Sequence, residues 1–408
     1  MTAKKKYPVQ DVLLFGALMF IYLIATLFLF HRQTVSYGGL YPSDMGSYVA
    51  EIQGLDSGYQ YPYPILFLTG KLFLLFTTPK HAMAMATALW NGLTPIILKY
   101  YFDKFLQARE TGDFRRGILS TLLVFSLLLM SMVYPLTYLG RYHEPGEDFL
   151  YRYLGTFTPN PYHNATYLTA RPFSVPVFFL FADILTFYEK EDRWLHPKYV
   201  LFSLFLLLST LAKPSFTLVL AGTAGVIMLW RLAAGGFRGV KSFFQMGIWF
   251  IPTFLVLLYQ FGDVFRAGGK GDGGIGFGFM TAWSKATDNA PLSIFLGILF
   301  PLTVLLFCLL HREFPNLLKF SWQFYLGALV TLTFLYEKGY RLPHVNFSWG
   351  YMYGLFFTYA VSLLVLAGNT LKRRQPAWQL GIQWIAYGLH MVCGIDYFQV
   401  LLQGGLFH

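Results

Sequence analysis

The chain has 408 residues, of which 55% are hydrophobic and 12% charged, with a mean hydropathy of +0.48. A soluble domain carries about twice that charged fraction, so these values exclude an ordinary soluble enzyme. The net charge of +11 would suggest nucleic acid in a soluble chain. Here Lys and Arg fall mostly in short connections between apolar runs, with no basic stripe interleaved with aromatics, and no nucleic-acid partner is expected.

In chain order, Lys4, Lys5 and Lys6 precede an apolar run over 11–30. No small-residue cleavage site follows, so this run reads as an uncleaved anchor. Further runs occupy 63–78, 82–101, 117–136, 173–188, 198–212, 214–230, 243–260, 292–310, 320–336, 350–368 and 378–394. They lack the alternation of an outer-membrane barrel. The expected fold is therefore all-α: a polytopic transmembrane helical bundle of about eleven spans (10–12), forming one integral-membrane domain over 1–408. Lys71 and the Pro79-Lys80-His81 break mark 63–78 as the run that fails to cross. Basic connections alternate so as to place the N-terminus in the cytoplasm and the C-terminus outside, in an inner or plasma membrane. Segments 31–62, 137–172, 261–291 and 337–349 then lie outside and carry interfacial helices. Cys308 and Cys393 sit in apolar runs and imply no disulfide framework.

The outer segments hold the candidate chemistry. Asp44 opens a stretch in which Tyr48, Ile52 and Leu55 recur at helical spacing, predicting an amphipathic helix over 45–55 lying along the interface. Ser43 or Asp44 can cap that helix, and Asp44 can equally serve as a general base. Residues 141–172 bring Arg141, His143, His163, Asn164 and Arg171 onto one loop. Guanidinium matches phosphate geometry, so Arg141 and Arg171 are candidate phosphate ligands, with His163 and Asn164 as sugar or acceptor contacts. The His143–His163 spacing fits no zinc template. Asn164-Ala165-Thr166 is formally a glycosylation sequon. Lys213-Pro214 breaks two apolar runs: its ammonium can snorkel or neutralise a phosphate leaving group. Glu337, Arg341, His344 and Asn346 form a fourth group, Arg341 for phosphate and the others for sugar or acceptor. The Gly-rich stretch 262–278 reads as a connector or a closing loop; it lacks the context of a nucleotide-binding loop.

A first span from the cytoplasm, a long outer loop with Asp44 soon after it, and Tyr61-Pro62-Tyr63-Pro64 leading into the next run together resemble the GT-C superfamily, polytopic glycosyltransferases that use polyprenyl-phosphate sugars. The resemblance covers roughly the first 100 residues and the general architecture. Family members often carry paired acids here, whereas the nearest acid to Asp44 is Glu51. The resemblance implies that Asp44 is the base of an inverting transfer from a polyprenyl-phosphate-linked donor to a glycan, lipid or protein acceptor at the outer face. Membrane lipids are the remaining partners. No cofactor is expected, with a divalent metal left open.

Two rivals share these features: a polysaccharide polymerase joining lipid-linked repeat units, and a transporter or flippase of a lipid-linked sugar. The transporter predicts acids or breaks near mid-membrane. Asp183 fits that pattern, but the polar residues otherwise gather at the outer ends of the runs.

Overall fold

The computed structural model describes residues 9–35, 39–134, 158–266, 273–285, 287 and 289–405. Within them the chain is helical almost throughout. The helices are α1 (Val9–Gln33), α2 (Met45–Ile52), α3 (Pro64–Leu74), α4 (Pro79–Leu106), α5 (Ala108–Thr111), α6 (Phe114–Leu129), α7 (Ala165–Ile184), α8 (Pro197–Ala212) and α9 (Ser215–Ala234). They continue as α10 (Val240–Gly247), α11 (Ile251–Arg266), α12 (Ala290–Leu310), α13 (Asn316–Phe334), α14 (Ser348–Lys372) and α15 (Ala377–Leu402). Two short antiparallel strands, β1 (Ile275–Phe277) and β2 (Leu335–Glu337), pair Ile275 with Glu337 and Phe277 with Leu335.

Every apolar run predicted from the sequence contains helix. Among the described residues six stretches are long and apolar enough to cross a membrane: α1, α9, the continuous segment Val240–Gly262, α12, the segment Arg341–Lys372 that contains α14, and α15. The chain is thus an integral membrane protein, with six such stretches where about eleven spans were expected. Helix α3 has 11 residues and rises about 16 Å at 1.5 Å per residue, roughly half of a bilayer's hydrocarbon core. One boundary differs in a way that matters. The sequence begins the fifth run at 173, whereas α7 starts at Ala165. Its first two turns carry Thr and Arg and so look like loop.

Local signals explain the helix starts. Asp113 accepts from Arg115 N at 3.0 Å, Asn164 from Tyr167 N at 2.9 Å and Asn289 from Leu292 N at 3.1 Å, each satisfying a first-turn N–H. Prolines open α3, α4, α8 and α12 at positions where no N–H is needed. Pro301 instead lies inside α12 and deprives the Gly297 carbonyl of its partner. The hydroxyl of Tyr359 donates to that carbonyl, the Phe300 N–H donates to His390 Nε2 at 3.1 Å, and the Leu296 carbonyl accepts from Val133 N at 3.2 Å. Neighbouring helices and the segment after α6 thus satisfy the backbone groups that the break releases, as an apolar surround demands.

Helix α14 is the central shaft. Its apolar window is 83% buried, against 17% for α1, and it packs on α13, α12, α9, α4, α6 and α15. Close approach to α13 depends on Gly354, where a Cβ would stand 2.8 Å from that of Ala328.

A buried charge cluster ties α1, α4 and α6 at one end. Lys99 Nζ donates to Asp11 Oδ2 at 2.9 Å, to Asp103 Oδ1 at 2.5 Å and to the Gly117 carbonyl at 3.2 Å, while Thr121 donates to Asp11 Oδ1 at 2.7 Å. Removing the shared cation leaves two buried carboxylates uncompensated. Lys99→Met is therefore expected to destabilise the protein by about 3–5 kcal/mol. Adding Asp11→Asn and Asp103→Asn should restore most of the loss, read from unfolding midpoints in one detergent.

Candidate functional site

At the opposite end of the bundle, the N-termini of α2, α7, α9 and α14 converge. Loop 39–43 is held there because Tyr41 N donates to the Gly404 carbonyl at 3.1 Å and its hydroxyl donates to Leu402 O at 3.2 Å. Asp44 follows as the residue before α2. Its side chain makes no capping bond; Met45 N donates to Ser43 Oγ at 3.2 Å instead. The Asp44 carboxylate is left to face outward, exposed on one side and held on the other.

What holds it is Asn164. Its Nδ2 donates to Asp44 Oδ2 at 2.7 Å, and the Tyr48 hydroxyl, one helical turn along α2, donates to the same oxygen at 3.3 Å. Asn164 Oδ1 accepts from Lys213 Nζ at 3.1 Å, from Thr166 Oγ1 at 2.9 Å and from the capping N–H of Tyr167. These partners fix which amide atom is oxygen. Lys213 also donates to Thr166 Oγ1 at 3.0 Å and lies 4.5 Å from the centre of the Trp349 ring, a cation–π contact. With both amide atoms engaged and 2% exposure, Asn164 is a structural bridge in the folded chain rather than a surface glycan carrier.

Lys213 is the electrostatic centre. It sits in the break between α8 and α9 and is 7% exposed. No carboxylate among the described residues lies within ion-pairing distance of its ammonium. Burial pulls it down to about 8, with Asp44 and Glu337 pulling the other way. A buried cation held by neutral groups is expensive unless an anion reaches it. The N-termini of α7, α9 and α14 add positive dipole ends in the same place. Near Asp44, burial first and the aspartate second hold the Tyr48 and Tyr61 phenols above their usual range, so both remain neutral.

Lys213 also lines a cavity of about 440 Å³ between α9 and α11. Its body is apolar, built from residues such as Leu218, Val219, Phe254 and Leu258, and its head is Lys213, Glu337, Arg341, Asn346 and Trp349. Leu258 is 69% exposed, so this wall reaches the lipid-facing surface. Glu337 orients the head. One oxygen takes Arg341 Nε at 3.2 Å and the other accepts from Asn346 Nδ2 at 2.5 Å. Between them Val345 adopts φ 47°, a strained conformation for a β-branched residue that turns the chain back toward Glu337.

The sequence-derived candidates therefore divide. Asp44, Asn164 and Lys213 form one hydrogen-bonded chain. His163 stands beside it, its ring 5.6 Å from that of Trp349, and Arg341, Asn346 and Glu337 complete the cavity head. Arg171 is elsewhere. It is fully buried two turns into α7, its Nη1 donating to Asn160 Oδ1 at 2.6 Å and its guanidinium over the Phe356 ring. It joins interior packing, and it does not line the cavity. His344 is exposed on the rim beside Tyr59, away from the cavity lining. Arg141 and His143 lie outside the described residues. Sequence reasoning missed the roles of Tyr48, Thr166 and Gln260. Tyr48 is four residues after Asp44 and Thr166 two after Asn164, spacings that signal local bonding. Gln260 Nε2 donates to Pro62 O and Thr210 O, both at 2.9 Å, and nothing local announces that. Among the described residues no group of three or more His, Cys, Asp or Glu side chains is placed to hold a metal.

The chain matches no protein-family model, no curated protein and no solved structure. The bridging amide can be tested directly. Asn164→Ala removes the α7 cap and leaves Lys213 and Asp44 short of partners, an expected loss of about 2 kcal/mol or more. Asn164→Asp keeps the cap and offers Lys213 a counter-charge that offsets its repulsion of Asp44, so it should lose less. Unfolding midpoints of the two variants check the order.

Proposed function

We propose that this protein is a membrane glycosyltransferase that moves a sugar from a polyprenyl-phosphate-linked donor to a hydroxyl acceptor at the extracytoplasmic face. The observation that carries the reading is the joining of two environments at Lys213. An apolar cavity open toward lipid ends in two cationic side chains, and an amide links that head to an exposed carboxylate. An isoprenoid chain with a phosphate at its end has the same division. The chain would occupy the space between α9 and α11, and the phosphate would meet Lys213 and Arg341.

In the proposed reaction an acceptor hydroxyl attacks the anomeric carbon. Its proton passes to Asp44, the carbon–oxygen bond to the phosphate breaks, and polyprenyl phosphate leaves with the bonding electron pair. Lys213 and Arg341 stabilise the charge that develops on that phosphate. Tyr48 and Asn164 hold Asp44 Oδ2, leaving Oδ1 to take the proton. One displacement inverts the anomeric centre. His163 and Asn346 flank the cavity head as sugar contacts, while Glu337 positions Arg341 and Asn346. The acceptor class, and the choice between a single transfer and a polymerising one, follow from whatever binds on the exposed side of Asp44.

The test is an in-vitro assay against a panel of polyprenyl-phosphate sugars. Asp44→Asn should lower turnover by about 10²-fold or more while donor binding is retained; unchanged turnover removes Asp44 from the reaction. Transport without a new glycosidic bond would assign the protein to the flippase class. Lys213 supplies a pH test. Its ammonium is lowered to about 8, so the form that attracts phosphate is present below that pH and is lost above it. Donor affinity should fall as pH rises through this range, with bound phosphate shifting the fall upward. Lys213→Arg should flatten the profile, and Lys213→Met should raise the donor KM about tenfold or more at neutral pH.

A further inference from the structure

A second amphipathic site lies between α1 and α4. Four basic side chains meet there. His31 and Arg32 end α1, while Lys80 and His81 lie in the first turn of α4. The two imidazole rings stand 4.3 Å apart, and Thr78 Oγ1 lies 2.7 Å from His81 Nδ1. Arg32 and Lys80 carry fixed positive charge close enough to act on His31, and the Arg32 guanidinium lies 5.2 Å from the centre of the Phe28 ring. A phosphate placed here would meet two fixed cations together with two imidazole rings able to donate hydrogen bonds.

Below them is a cavity of about 380 Å³, lined by His31 and His81 at its mouth and by residues such as Ile24, Leu27, Phe28 and Met85 along its length. Ile24 is 53% exposed and Phe28 43%, so the walls open sideways onto the surface of α1, one of the membrane-crossing helices. The N-terminus of the 28-residue α4 points toward the basic group and adds its positive dipole end.

We infer that the α1–α4 groove binds a phosphate-bearing membrane lipid, its headgroup among His31, Arg32, Lys80 and His81 and one chain along Ile24, Phe28 and Met85. Two properties select this occupant. The head is cationic, which calls for an anion, and the groove continues as an apolar channel on the bilayer-facing side, which calls for a tail. A soluble phosphate satisfies the first property alone, and a neutral lipid the second alone. The site shares no residue with the α9–α11 cavity, so it stands whether or not the glycosyltransferase reading does.

The experiment uses full-length protein in nanodiscs of phosphatidylcholine, with and without about one-tenth phosphatidic acid. Native mass spectrometry counts retained lipid, and thermal unfolding reads its effect. The wild type should retain phosphatidic acid and gain several degrees in midpoint. The variant His31→Gln/Lys80→Gln/His81→Gln should lose both, with an unchanged midpoint in neutral discs as the check on folding. Lys213→Met should keep both, which separates this groove from the other cavity. A photoactivatable phosphatidic acid should label peptides of α1 and α4 in the unmodified protein, whether or not the triple variant folds. Equal retention by wild type and a folded triple variant, loss in Lys213→Met alone, or labelling confined to α9 and α11 would each overturn the inference. A midpoint shift with inorganic phosphate as large as that with the lipid would overturn it too.

Discussion

One carboxamide organises the candidate site. Asn164 has a donor side and an acceptor side, and the fold uses both: the donor side restrains a carboxylate, and the acceptor side receives an ammonium and a helix N–H. A carboxylate in its place would repel Asp44, and an aliphatic residue would connect nothing. Because the same amide caps α7, the spacing between anion and cation is set by where a helix begins. Three segments distant in the sequence, at 44, 164 and 213, are thereby held in register by a group that carries no charge. A neutral bridge also keeps acid and base from collapsing into a direct ion pair, which would quench both.

The rest of the bundle obeys a related constraint. In an apolar surround every polar group needs a partner inside the protein. Pro301 opens α12, and groups from α14, α15 and the segment after α6 close the account. Lys99 serves two aspartates and a carbonyl. Arg171 belongs to the same economy: its guanidinium reaches Asn160 and Asn91 and lies over Phe356. From type and position alone it looks like a phosphate ligand, yet its surroundings make it an internal tie.

Much of the architecture was legible because hydrophobic runs and helix signals are local. The apolar runs, the amphipathic α2, the break at Lys213 and the short α3 follow from spacing, proline positions and run length. What stayed hidden depends on facing and distance. Starting α7 at 173 rather than 165 put Arg171 in a loop and hid that it points inward. His344 and Asn346 are two residues apart, and only the turn at Val345 decides that one reaches Glu337 while the other faces Tyr59. Asp11 lies on α1 and reaches Lys99 and Asp103 on α4, far along the chain, and Asp103 reads locally as the start of a basic connection. Among the described residues six stretches have the length and apolarity of spans, because α3, α6 and α8 are short and helices such as α4 and α7 carry polar residues that the bundle interior absorbs.

The Lys99 cluster has a mechanical corollary. It fastens α1, α4 and α6 at the end remote from Lys213. At that same end Arg231 of α9 donates to the Leu185 carbonyl and Lys241 of α10 donates to Asp192. Beside the α9–α11 cavity, α11 is held across to its neighbours by the neutral bonds of Gln260. Displacing α11 sideways would therefore break the two neutral bonds of Gln260 and leave these charged contacts at the far end intact.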